Sequence, residues 1–257
     1  MRGSLTVLAF VCVSGFASLI NMGVAQDADG TLMREVKELK RGQDQVRKEL
    51  VEVKALLTKI TSPTMPQINV KDVEIDLGDN AVLGDDGAKL VLVEISDYEC
   101  PFCGRYVRET FPRLFEEYVS KGIIRYAVFS MPLPRHTLAG KAAEAAHCAN
   151  EQGKYWDMHK LMMSRQDSLG DLPGLARDLK VDADAFEKCL KTNRYKGQID
   201  KETALARKLG ITGVPGFVLA SSDPRNPRVV KGISAMIGAQ PFDSFKKEID
   251  RALASIE

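Results

Sequence analysis

Leu90-Val91-Leu92-Val93-Glu94-Ile95 runs through Ser96-Asp97-Tyr98-Glu99 into Cys100-Pro101-Phe102-Cys103, and a segment that reads as a helix follows. An apolar run, then Cys-x-x-Cys, then a helix is the arrangement of a redox-active thiol pair. The head of a helix presents free backbone N–H groups and the positive end of its dipole. Both favour a thiolate, the form that attacks disulfides. The second cysteine, one helical turn on, stands where it can resolve a mixed disulfide. Cys100 is therefore expected as the exposed nucleophile and Cys103 as the resolving thiol. Two other readings of the motif are weaker. A structural zinc site needs a second knuckle or a close His pair, and Cys148 and Cys189 lie too far apart in the chain to supply one. No metal is expected. A purely structural Cys100–Cys103 bridge would close so small a loop that it would restrain the unfolded chain little.

Outward from the motif, the 257 residues are 44% hydrophobic. That suffices for one good core with an insertion and an appendage. A formal net charge of +1 gives no electrostatic case for nucleic acid or an acidic membrane surface. With one Trp and six Tyr, no aromatic stacking platform is evident.

Residues 1–25 read as an export signal: Arg2, an apolar stretch from Leu5 to Ile20, then Gly23-Val24-Ala25 before Gln26. Basic, apolar and small-x-small in that order mark a cleavable leader. The apolar run is short for a membrane anchor. Cys12 would leave with the leader, so Cys100, Cys103, Cys148 and Cys189 remain. An even count in an exported chain suggests two disulfides. Of the three connectivities available to four cysteines, Cys100–Cys103 plus Cys148–Cys189 is the simplest.

Residues 26–60 hold a heptad seam. Leu32, Val36, Leu39, Gln43, Val46, Leu50, Val53, Leu57 and Ile60 alternate in steps of four and three. With Val36 at position a, Glu35 and Glu49 fall at g, and Lys40 and Lys54 at the e positions of a parallel neighbour. Leu at a with Val or Ile at d leans towards a trimer or tetramer over a dimer. Gly42 weakens the helix locally. A single amphipathic helix on the body of the protein, or a spacer stalk, is the competing reading. Residues 61–67, with Pro63 and Pro66, read as a linker.

The body, 68–256, reads as strands over Ile68–Leu77, Lys89–Ile95 and Ile123–Phe129, with the motif helix from Pro101 to Ser120. A helical block occupies about 138–209, with Asp171 and Asp182 as N-caps. Strands over Gly216–Ala220 and Arg228–Gly232 and a helix over Pro241–Ile256 close the chain. This order predicts an α/β fold: a small mixed sheet with an inserted helical domain, preceded by a long N-terminal helix.

Three stretches carry a family likeness: Val93–Cys103, Ala145-Ala146-His147-Cys148-Ala149-Asn150-Glu151-Gln152-Gly153-Lys154-Tyr155-Trp156, and Gly210-Ile211-Thr212-Gly213-Val214-Pro215-Gly216-Phe217. Across roughly 68–256 the chain resembles the DsbA-like thioredoxin-fold proteins, exported thiol–disulfide oxidoreductases of bacteria. The resemblance implies a cis Val214–Pro215 bond facing the active cysteines. The bracketing Gly213 and Gly216 agree with a turn there, and X–Pro is the one linkage at which cis is cheap. Val214 and Pro215 would then shape a groove holding substrate as an added strand. The resemblance further implies a buried acid, Glu94, which could relay protons to Cys103, and a second disulfide between Cys148 and Cys189. Phe102 departs from the strongly oxidising relatives, which carry His there, and a less oxidising couple is expected. His147 and His159 read as structural, and His136 has no specified role.

The implied function is that of a periplasmic enzyme forming or isomerising disulfides. It needs no cofactor beyond its dithiol and takes cysteine-containing exported proteins and a membrane redox partner. The coil would make it a homo-oligomer, trimer ahead of dimer, as an isomerase holding a misfolded client would use. A monomeric oxidase on a spacer and a non-enzymatic oligomeric chaperone are the alternatives.

Overall fold

A computed structural model describes residues 32–54 and 68–256. The expected leader, the linker 61–67 and both ends of the expected coil lie outside these residues. The chain divides into two units, 1–65 and 66–257. In the first, residues 32–54 form one exposed helix, α1. Its apolar seam faces solvent: Val36 is 49% and Leu39 74% exposed.

In the second unit, six strands form one sheet in the order β1-β6-β5-β3-β4-β2. They are β1 (Glu74–Asp76), β2 (Val82–Leu83), β3 (Leu90–Ser96), β4 (Ile124–Ser130), β5 (Gly216–Asp223) and β6 (Asn226–Ile237). Only β3 and β4 run parallel; every other pair is antiparallel. All seven residues of β3 are buried, as a central strand covered on both faces requires. Side chains alternate across the sheet. Leu90, Leu92, Tyr126, Val128 and Phe217 face one core, while Val91, Val93, Ile95, Ala127 and Phe129 face another. Glu94 has the parity of Leu90 and Leu92. Its carboxyl is therefore committed to the first core, which the motif helix covers.

Between β4 and β5 stand α4 (Ala139–Asn150), α5 (Tyr155–Ser164), a 3-10 turn (Gln166–Ser168), α6 (Leu172–Asp178), α7 (Ala183–Lys191) and α8 (Lys196–Lys208). Asp171 accepts from the Gly174 N–H and Asp182 from the Ala185 N–H, each at 2.9 Å, the N-capping geometry that starts α6 and α7. The last helix, α9 (Phe242–Ile256), buries Phe242, Phe245, Ile249 and Ala252 in the first core.

Two expectations need correction. The motif helix is not continuous to Ser120: α2 spans Pro101–Glu109, α3 Phe111–Leu114, and a π-turn Phe115–Val119 follows. Pro112 has no N–H to offer the Arg108 carbonyl, so the ladder breaks there. The strand expected over Ile68–Leu77 shortens to Glu74–Asp76, because Val73 N–H turns back to the Val70 carbonyl and Asp72 takes a φ of 60°.

Candidate active site

Strand β3 ends at Ser96, and five residues later α2 begins, with Pro101 in its first turn and Cys100 as N-cap. Proline suits that position, since its missing N–H would have had no helical partner. The Cys100 N–H closes the turn onto the Asp97 carbonyl at 3.1 Å. Both cysteines are free thiols, and their acidities are driven apart. The Cys100 thiol falls to about 6, chiefly because the Cys103 side chain hydrogen-bonds to it. The backbone N–H groups of Cys103 and Phe102 at the head of α2 add to this, against burial and the Asp97 carboxylate. Cys103 is pushed up, first by burial, then by its bond to Cys100 and by the Glu94 charge. One sulfur is thus set to attack and the other to hold its proton. Cys100 is less open than expected: it is 2% exposed, and its Sγ lies 3.6 Å from the Val214 carbonyl oxygen.

Glu94 lies wholly buried, with Oε1 accepting from the Ser96 hydroxyl at 2.6 Å and Oε2 from the Tyr126 hydroxyl. Burial raises it to about 7, with those two hydroxyls pulling the other way. No hydrogen bond joins it to either cysteine among the described residues, but its charge raises Cys103, and the Cys100 charge in turn raises Glu94. Val214–Pro215 is cis. Its loop leads into β5, which pairs with β3 from Gly216↔Ile95 onward, and that register delivers Val214 to the Cys100 turn.

The residues before the motif do something that spacing does not reveal. Asp97 accepts from the N–H groups of Glu99 and Leu133 at 2.8 Å each, and from His136 Nδ1 at 2.8 Å. The Tyr98 hydroxyl pairs with His159 Nδ1 of α5 at 3.0 Å. Glu99 Oε2 accepts from the Leu138 and Ala139 N–H groups at the head of α4. Gln166 Nε2 donates to the Tyr98 and Cys100 carbonyls, 2.8 Å to each. Every residue from Asp97 to Cys100 is therefore tied to the helical insertion or to the loop leading into it. Gly104 has no side chain where Gln166 and Arg108 crowd the helix. Only the β4-to-α4 loop's Pro-rich sequence hinted at any of this.

Phe102 is 55% exposed, with the Arg105 guanidinium 5.2 Å above its ring. Cys148 and Cys189 are joined, bridging α4 to α7 across 41 residues of sequence. His147 and His159 are buried, and burial lowers both to about 4, so both are neutral packing groups near neutral pH. Among the described residues, no cluster of three or more His, Cys, Asp or Glu could hold a metal.

A family model described as Thioredoxin matches residues 76–239. The Na(+)/H(+) antiporter NhaA 3 of Salinispora tropica is 33% identical over 168 residues, which are 64% of this chain and 25% of the antiporter. The chain thus spans about a quarter of that relative's length. No helix among the described residues is long and apolar enough to cross a membrane. Disulfide bond formation protein D of Bacillus subtilis is 24% identical over 186 residues, covering 67% of this chain and 76% of that protein. The crystal structure of Wolbachia pipientis alpha-DsbA1 superposes with a TM-score of 0.62 at 26% identity, covering 71% of this chain and 97% of that one. With the Cys-x-x-Cys turn at the head of α2, the cis-proline loop against it and the helices inserted between β4 and β5, the chain belongs to the thioredoxin family, with a DsbA-like architecture.

Proposed function

We propose that this protein is an exported thiol–disulfide oxidoreductase that forms or reshuffles disulfides in cysteine-containing exported proteins. The observation that carries the reading is the split acidity of Cys100 and Cys103 at the head of α2, facing the Val214–Pro215 loop. In oxidation, a client thiolate attacks Cys100 Sγ of the Cys100–Cys103 disulfide. A client–Cys100 bond forms, and Cys103 leaves as a thiolate that takes a proton, with Glu94 as its relay. A second client thiolate then attacks the client sulfur, and Cys100 leaves. Two electrons have moved from the client to the enzyme, and a membrane redox partner would remove them. In isomerisation the reduced Cys100 thiolate attacks first. Val214 and Pro215 would grip the client backbone. No cofactor beyond the dithiol enters these steps.

The exposed seam of α1 supports assembly, trimer ahead of dimer, through a parallel coil over 26–60. Several sites around one cleft would suit an isomerase. Cleavage of residues 1–25 would deliver the protein to the periplasm, and 61–67 would act as the linker to the body at 68–256, whose insertion spans about 138–209. The test is recovery of ribonuclease activity, from scrambled and from reduced enzyme, by chains starting at Gln26 and at Thr61. Reshuffling by the longer chain alone would make the coil part of an isomerase. Equal oxidation by both without reshuffling would leave an oxidase on a spacer. No exchange by either, with Cys100→Ser indistinguishable from the parent, would sink the enzymatic reading in favour of a chaperone.

A further inference from the structure

His136 sits on the loop between β4 and α4, with its side chain 13% exposed and the Asp97 side chain beside it fully buried. A carboxylate accepts hydrogen bonds, and His136 Nδ1 lies 2.8 Å from Asp97 Oδ2, placed to donate to it. Asp97 opens the turn that Cys100 closes, and its charge opposes the Cys100 thiolate. Of the three donors on that carboxylate, two are backbone N–H groups. His136 is the single side-chain donor among them, and the single one able to carry a positive charge. Glu99, the other acid on the turn, is occupied by the Leu138 and Ala139 N–H groups. Arg135 is the charged neighbour of His136 in sequence.

We propose that His136 is a positioning residue for Cys100: by holding and partly neutralising the Asp97 carboxylate, it keeps that charge from suppressing the nucleophile. The inference rests on Cys100 being the attacking thiol. It names a role for a residue that lies outside both the Cys-x-x-Cys motif and the cis-proline loop.

The experiment is the pH dependence of iodoacetamide alkylation of Cys100 in the reduced full chain. His136→Phe should raise the midpoint by about half a pH unit, which is about a threefold loss of rate below the midpoint. His136→Gln, which keeps a donor, should recover part of the shift. Asp97→Asn should lower the midpoint, and adding His136→Phe to it should change nothing further. An unmoved midpoint in His136→Phe, or the same shift with and without Asp97, overturns the proposal. Should His136→Phe fail to fold, Asp97→Asn decides: a Cys100 midpoint that stays put in that variant overturns the proposal as well. Alkylation needs no client, so a failed ribonuclease assay with an intact His136 dependence would remove the functional reading and leave this one. The reverse pattern would remove this one alone.

Discussion

Cys100 and Cys103 stand at the head of α2 as free thiols with opposed acidities, whereas Cys148 and Cys189 are bonded across 41 residues and bury both side chains between α4 and α7. A bridge at Cys-x-x-Cys spacing restrains the unfolded chain little, while one closing a 41-residue separation removes on the order of 3–4 kcal/mol of chain entropy. The first pair has helix amides, a buried carboxyl and a carbonyl around it. The second pair belongs to the same core but sits within the bodies of α4 and α7, away from either helix head. The lesson is that spacing and surroundings, more than the sulfur itself, separate a thiol pair primed for exchange from a brace.

The largest effect should break that comparison outright. Cys100→Ser should slow oxidation of reduced ribonuclease on the order of a thousandfold or more, while Cys148→Ala with Cys189→Ala should leave the exchange rate within about threefold. Denaturant unfolding of the second variant should instead show a loss of about 3 kcal/mol, and an unchanged midpoint would deny the brace. Glu94 comes next. Folding raises it from 4.5 to about 7, so the folded state holds the extra proton between those values. The Glu94 contribution to the stability of the reduced protein should fall by about 3 kcal/mol as pH rises through that window, against the opposite contribution of His147 and His159, which burial lowers to about 4. Glu94→Gln should remove that contribution, read as the difference between the stability–pH curves of variant and parent, and should also slow resolution of a mixed disulfide at least about tenfold. The smallest test sharpens the active pair. A Cys100 value of about 6 lies between the ~7 of thioredoxin and the ~3.5 of a strongly oxidising DsbA. Phe102→His should lower the alkylation midpoint by about one unit and raise the reduction potential by about 30 mV. A potential that stays put would show that Phe102 is not what tempers the couple.

Much of this was legible in the sequence, for identifiable reasons. The β3 run, the Cys-x-x-Cys turn and the helical block announce themselves through short-range patterns, and the limits of α4 and α5 follow from theirs. The burial of Glu94 follows from its parity with Leu90 and Leu92, although its hydroxyl partner Tyr126 stands on another strand. The break at Thr110 could have been found from Pro112. What could not be read was the set of ties from Asp97, Tyr98 and Glu99. The groups their side chains meet beyond the turn lie 36 to 61 residues away, and no local periodicity encodes contacts of that span. The same holds for the Tyr98 and Cys100 carbonyls and Gln166.

Those ties bear on modularity. An inserted helical domain invites the idea of a detachable cap, trimmed away to leave a minimal redox domain. Here the trimming would strip partners from Tyr98, Glu99 and the Tyr98 and Cys100 carbonyls together. Each polar group left buried and unpaired costs about 1–3 kcal/mol, a sum comparable to the whole stability of a domain. The insertion and the Cys100 turn are one inheritable piece, and neither could be exchanged without redesigning the other.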